Sequence, residues 1–407
     1  MIKLTKQLDK LIDNLKSQQW IKSLTLSYHM YIVGGCVRDG FLEKPIKDID
    51  IVVENISIDK LIDFLKNYGK VDLVGESFSV IKFKPLDDYD GECFDIAVPR
   101  KDRKTGDGHK GFEVVTENIS IIDDLRRRDI TINSIAINIL TKELLDPFNG
   151  LKDLKNKTIR ATDPTAFIED PLRLFRIVQF SSRFNFRVEP ITKSLMKENA
   201  HLINEISGER ILEEFEKIIN KHGKISTAMQ LMYDTNIDFH LFEHKFFNVR
   251  FKIFDGYDKL SFYYLMLGFA NVLPSRFYSE RLKGNSDMTK ALSTLETIET
   301  FEADKGCNND DKNRLFIMKM IKSSSLILES KWFINKESKI LNLMEMGKIP
   351  MYFGDVNFTG DDIIRLKPSL KGKEIGEIYD KMYEHALVNN YNWKNRIACL
   401  DYLMKIL

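Results

Sequence analysis

The 407-residue chain is 43% hydrophobic and 30% charged, the balance of a folded protein rather than a disordered one. At about 150 residues per domain, its length allows roughly three domains. Sixty-one basic against sixty acidic residues leave a formal charge of +1, which excludes an all-over basic nucleic-acid coat but not a local basic surface.

Residues 1–28 form a leader in which Leu4, Leu8, Leu11, Ile12 and Leu15 recur at helical spacing, so one helix with one apolar face is expected. Lys3, Lys6, Lys10 and Lys16 are mixed with Asp9 and Asp13, which argues against a signal or transit peptide. The longest apolar stretch, Phe262 to Leu273, is far shorter than the roughly 18 residues of a membrane span. Cys36, Cys93, Cys307 and Cys399 show no paired spacing, which predicts free thiols in a reducing compartment, hence the cytoplasm, and no structural zinc. No protein partner is indicated.

From 29 to 145 the texture is that of a mixed α/β head. Short β-rich runs (MYIV, DIDIVVE, SVIKFK, CFDIAV, FEVV) surround a helical IDKLIDFLKNYG. The first strand runs into Gly34-Gly35 and then CVRDGFLE, a helix start. Such a turn permits close backbone approach and places a helix N-terminus where an anion, phosphate above all, is favoured; a plain turn uses the same residues. Asp48 and Asp50 stand two apart on the expected strand, so both project from one face while Ile49, Ile51 and Val53 face the core. An isolated pair of this kind is also found on solvated strand faces. Asp95, flanked by apolar residues in CFDIAV, is a third carboxylate where burial is costly. Three such groups beside a glycine turn can hold two Mg²⁺ ions, one activating a terminal 3′-hydroxyl and the other neutralising a triphosphate and its pyrophosphate leaving group. The segment Arg100 to Val115, with Gly106, Gly108 and Gly111, reads as a mobile loop or a solvated hairpin tip.

After DPFNG at 146–150, helical patterns take over: a neck at 146–232, a body at 233–335 and a tail at 336–407. Residues 235–350 carry no informative motif. In EDPLR, Asp170 before Pro171 is a helix cap by its local chemistry. Asp170, Arg173 and Arg176 also share a helix face, and a carboxylate beside a guanidinium can read the Watson–Crick edge of C or A.

GGCVRDGFLEKPIKDID resembles the GGxVRD…DxD signature of polymerase-β-type nucleotidyltransferases, in the branch of class II tRNA nucleotidyltransferases (CCA-adding enzymes) and bacterial poly(A) polymerases. DDLRRRDITINSIAIN resembles that family's RRDxTxNA element, with Ser134 where Ala is common, and IEDPLRLFRIVQF its EDxxR helix. The resemblance runs continuously from Tyr31 to Phe184; ERILEEFEKII and, more weakly, FTGDDIIRL extend it. It implies an α+β chain with a polymerase-β-like nucleotidyltransferase head followed by a long all-α neck, body and tail. It implies that Asp48, Asp50 and Asp95 are catalytic and bind two Mg²⁺ ions, and that Gly34, Gly35 and Arg38 serve the triphosphate. Arg128 and Asp129 would meet the incoming ribose and Asn133 support them, while Asp170 and Arg173, oriented by Glu169 and continued by Arg176, would select CTP and ATP. The implied activity is addition of C, C and A to the 3′ end of tRNA; poly(A) addition is the alternative. No histidine precedes an aspartate, so no HD-type phosphohydrolase domain is expected.

Overall fold

The structure, a computed structural model, describes residues 3–74, 80–86, 93–104, 112–116, 118–221, 223–246, 251–305, 356–388 and 393–407. The glycines of the expected loop, Gly106, Gly108 and Gly111, lie outside the described residues, as does much of the body. Two compact units divide the chain, Met1–Lys252 and Ile253–Leu407.

The first unit opens with α1 (Lys6–Ser17), begun by Thr5, whose hydroxyl accepts from the Leu8 amide. A break at Gln18 starts α2 (Gln19–Leu24), so the leader forms two helices rather than one. Its apolar face is not an appendage. Leu8, Ile12, Leu15, Trp20, Ile21 and Leu24 belong to the same core as Ile32, Ile49, Ile51, Val53, Phe83, Phe94 and Ile96. The Trp20 ring meets Phe83 and Phe94 at centroid distances of 5.0 and 5.5 Å.

Strands β1 (His29–Val33), β2 (Ile49–Glu54), β3 (Gly69–Val74), β4 (Val80–Pro85) and β5 (Phe94–Ala97) make most of the sheet. Between them lie α3 (Gly35–Phe41) and α4 (Ile58–Leu65). A hairpin of β6 (Lys101–Lys104) and β7 (Phe112–Val115) stands apart from the sheet. After α5 (Ile121–Arg126), β8 (Ala136–Asn138) and β9 (Leu144–Leu145) complete the order β3-β4-β5-β2-β1-β8-β9. Within this sheet, among the described residues, only β2 and β5 are parallel neighbours, in the register Ile49 to Phe94, Asp50 to Asp95 and Ile51 to Ile96.

Alternation along these strands divides the sheet into two faces. Ile49, Ile51 and Val53 point into the leader-covered core, as expected, and Tyr31, Val33 and Val52 pack on the other side with Ile121 and Leu125 of α5. Asp50 and Asp95 alternate with the core residues and so share this second face. Asp48, expected on the strand, lies one residue before it and is exposed.

The turn after β9 is tied by Asp146, whose carboxylate accepts from the amides of Gly150 at 2.6 Å and Leu151 at 3.0 Å. There follow α6 (Gly150–Lys155), α7 (Pro164–Glu169), α8 (Leu172–Phe184), α9 (Pro190–Glu198), α10 (Gly208–Asn220) and α11 (Ile225–Asp234). One short parallel pairing, Thr158–Ile159 with Arg187–Val188, departs from the all-helical expectation. It ties the chain on either side of α8, which packs against α10 and α11. In the second unit the described regular elements are all helical, among them Lys259–Phe269, Ser286–Lys305, Lys373–Val388 and Arg396–Ile406. Helix Gly360–Leu366 opens on a capping box between Thr359 and Asp362. Among the described residues, no helix is long and apolar enough to cross a membrane.

Candidate active site

The turn between β1 and α3 is built around Gly34, whose φ of +71° and ψ of −122° suit a residue without Cβ. A Cβ there would sit 2.6 Å from Arg128 Nη1, so a side chain would also require the guanidinium to shift. At Gly35 the nearest atom to such a Cβ would be Arg38 Nη2 at 3.7 Å, an ordinary contact. The Gly34 amide donates to the Ile135 carbonyl at 3.1 Å, so this amide does not face outward as the sequence suggested. Next in the helix, Cys36 is buried and its thiol is pushed up to about 12, chiefly by burial, which removes it as a nucleophile.

Facing this turn are the carboxylates. Asp50 and Asp95 are Cα partners on neighbouring parallel strands. Burial, above all, pushes the Asp50 carboxyl up to about 6; the charges of Asp95 and Asp48 add to this, while Arg128 and Arg38 pull it down. All three expected carboxylates therefore act on one point. Among the described residues, however, no three His, Cys, Asp or Glu side chains gather closely enough to hold a metal ion by themselves. Asp48 is exposed at the strand entrance, and Asp95 Oδ1 lies 3.4 Å from Lys82 Nζ on β4. The donors that are present, carboxylate oxygens held near one another at a cost in charge repulsion, fit a hard divalent cation that brings further oxygen ligands with its substrate.

The basic groups are set by a residue that the sequence reading passed over. Asp124, 1% exposed, accepts from Arg127 Nη2 at 2.7 Å and from Arg128 Nη2 at 3.1 Å. Burial raises its carboxyl, but the two arginines outweigh that and hold it below the usual aspartate range. The spacing of Asp124 to Arg127 and Arg128, three and four residues on, was the available signal. Arg128 thus spans from Asp124 to the Gly34 turn and the field of Asp50.

A second network joins the head to α8. Asp129 is 7% exposed and accepts from Arg176 Nε at 2.7 Å, from Asn133 Nδ2 at 3.0 Å and from the Ile130 amide at 2.8 Å. Its carboxyl lies low: burial pushes it up, and Arg176 with these hydrogen bonds more than offsets that. The Asn133 Oδ1 in turn accepts from Arg38 Nη1. Arg38, 4% exposed, is clasped on another edge by Asp39 at 2.8 and 2.9 Å and stacks on Phe184 at 4.8 Å. So Arg38, expected at the triphosphate, braces the turn against α8 in this structure. Ser134, the departure from the family pattern, donates to the Ile130 carbonyl at 3.1 Å.

At the start of α8, Asp170 behaves as the cap its local chemistry predicts: Oδ1 accepts from the Leu172 amide at 3.2 Å. The same oxygen faces Arg210 Nη2 of α10 at 3.4 Å. Arg173 is buried and donates from Nη2 to the Arg127 carbonyl at 2.8 Å, which ties the expected base reader to the segment that carries Arg128. Glu169 ends α7 and is partly exposed. The structure therefore brings Gly34, Asp50, Asp95, Arg128, Asp129, Asn133, Arg173 and Arg176 into linked surroundings, with Asp48 at the margin.

A family described as the poly A polymerase head domain matches residues 30–160, and one described as a probable RNA and SrmB-binding site of polymerase A matches residues 185–245. The multifunctional CCA protein of Nitrosococcus oceani is 38% identical over 199 residues, 47% of this chain and 45% of that protein. That of Psychromonas ingrahamii is 37% identical over 191 residues, 46% and 44% of the two chains. The chain thus spans just under half the length of the curated relatives it matches. The fold is that of solved CCA-adding enzymes. The Bacillus stearothermophilus enzyme in complex with CTP superposes with a TM-score of 0.66 at 21% identity, over 99% of this chain and 98% of that one. The Thermotoga maritima enzyme complexed with tRNA gives 0.67 at 21% identity over 100% of both.

Two outcomes follow from the site alone. Gly34→Ala should lower stability by about 1–2 kcal/mol in urea unfolding and displace Arg128, whereas Gly35→Ala should stay within about 1 kcal/mol of the parent; equal effects would contradict the close approach at Gly34. The folded chain holds the Asp50 proton more tightly than the unfolded one, where the carboxyl titrates near 3.8. Its contribution to stability is full below about pH 4 and is lost as the pH rises through about 6, leaving a buried charge. In EDTA at pH 8, Asp50→Asn should therefore be more stable than the parent by on the order of 2 kcal/mol, with the gain gone at pH 4. A difference that does not change with pH would contradict this.

Proposed function

We propose that this chain, whose residues 30–160 match the poly A polymerase head domain family, is a template-independent RNA nucleotidyltransferase that adds C, C and A from CTP and ATP to the 3′ end of tRNA. The observation that carries the reading is the register of Asp50 and Asp95 on parallel neighbours, facing a glycine turn that Arg128 closes. Asp48, Asp50 and Asp95 would hold two Mg²⁺ ions, which supply Lewis-acid activation of the 3′-hydroxyl and charge neutralisation at the departing pyrophosphate.

The protein's own residues do the positioning. Arg128, fixed by Asp124, lies where the triphosphate passes the Gly34 turn, and Gly35 leaves room beside it. Arg38 and Asn133 keep that turn in place from behind. Asp129 has its carboxylate committed to Arg176 and Asn133, so we assign it to hold the ribose end of the site in register with α8. Asp170 and Arg173 offer an acceptor and a donor to the base. Asp170 uses Oδ1 for the helix cap and Arg210, which leaves Oδ2 for an exocyclic amine; Arg173 is steadied by the Arg127 carbonyl and Glu169 flanks the pair.

The curated relatives, both multifunctional CCA proteins, support CCA addition over poly(A) addition. The match of residues 185–245 to a probable RNA-binding region supports an RNA substrate held by the neck and beyond. Cys36, Cys93 and Cys399 are free thiols, which suits the cytoplasm as the place of action.

Given tRNA transcript lacking its 3′ CCA, with CTP, ATP and Mg²⁺, the purified protein should add C, C and A and stop. Asp50→Ala should lower incorporation at least about 100-fold, while Asp170→Ala should admit UTP or GTP. Sequencing of product 3′ ends reads both; long A tails with CTP ignored would contradict the assignment in favour of poly(A) addition.

A further inference from the structure

The charged face of the sheet carries residues that the proposed mechanism does not use, Lys82 among them. In the register of the strands, Asp72 of β3 pairs with Lys82 of β4, Lys82 with Asp95 of β5, and Asp95 with Asp50 of β2. One row thus crosses four strands as acid, base, acid, acid. Asp72 has a lysine of its own, Lys70, at 2.8 Å. Lys82 is turned toward the site, with Nζ 3.4 Å from Asp95 Oδ1. The side chain of Lys82 is 49% exposed and that of Asp95 35%, so the ammonium reaches the carboxylate from solvent and is free to swing away.

A lysine in this place has opposite effects on two ligands. It offsets the repulsion between Asp95 and Asp50 in the unliganded protein, and it repels a bare divalent cation that approaches the same carboxylates. A divalent cation that arrives with a nucleoside triphosphate brings a net negative charge, to which the displaced ammonium can turn. We propose that Lys82 is the resident counter-cation of the carboxylate pair and makes divalent-metal binding conditional on the triphosphate. This rests on the reading of Asp50 and Asp95 as the metal site. It makes Lys82 a positioning residue acting through Asp95, whose Oδ1 it meets from the β4 side.

The test uses the full chain without RNA, so that no turnover occurs, with Mn²⁺ as the probe and its binding read by electron paramagnetic resonance. Lys82→Met should bind Mn²⁺ alone about three- to tenfold more tightly than the parent, and CTP should improve its Mn²⁺ affinity by correspondingly less. Lys82→Arg, which keeps the charge, should behave like the parent. A thermal-unfolding control keeps the comparison among folded proteins, since the substituted side chain is half exposed. If Mn²⁺ binding is lost in Asp50→Asn with Asp95→Asn but is unchanged within twofold in Lys82→Met, the proposal is overturned while the metal-site reading stands. If Mn²⁺ binding survives the paired aspartate substitution, the metal-site reading falls and the proposal with it.

Discussion

The ion pair between buried Asp129 and the partly exposed Arg176 is the contact on which the rest of the site depends. It joins the end of the RRD segment to the middle of α8 at 2.7 Å, and both elements carry residues proposed to meet one nucleotide. A charge this far from water is tolerated only when it is paired and hydrogen-bonded, and Asp129 has Asn133 and the Ile130 amide besides Arg176. Through Asn133 the pair extends to Arg38 and so to the Gly34 turn. Through the Arg127 carbonyl, Arg173 is fixed to the same segment. The sugar end and the base end of the proposed pocket are thereby held at one spacing by buried polar contacts rather than by loops.

The same site concentrates unfavourable energy elsewhere. Asp50 is held where its charge is costly, against Asp95 in the adjacent strand. The apolar face of the sheet, closed by Trp20 and the two leader helices, offsets that cost. A row of like charges on one face is affordable because alternate residues on the same strands are fully committed to the core on the other. The Lys82 ammonium and Arg128 guanidinium lie at opposite ends of the carboxylate pair, and both are anchored by acids, Asp95 and Asp124.

Much of this was legible in the chain. Period-two alternation placed Asp50 opposite Ile49 and Ile51, and the motif order located Gly34, Arg128 and Asp129 before any geometry was known. Three features were not legible, each for a physical reason. Strand ends are set by pairing rather than by composition, so Asp48 fell outside β2. Register between strands distant in sequence is invisible to local pattern, so Asp50 and Asp95 could be placed in one site but not paired residue for residue, and Lys82 beside Asp95 could not be read. The resemblance implied Arg38 at the triphosphate, and a motif does not show burial; in this structure Phe184 and Asp39 enclose it. Asp170 carried two readings, and of these the structure shows the cap.

A double-mutant cycle on Asp129 and Arg176 probes the link between the two ends of the site most directly. Asp129→Asn, Arg176→Met and the double variant would be compared in free energy of unfolding and in UTP misincorporation on the same tRNA. Coupling of about 1–2 kcal/mol in stability is expected, with the double variant misincorporating no more than Arg176→Met alone, because one missing partner already breaks the link. Additive losses in both measurements would contradict a single strut between the head and α8.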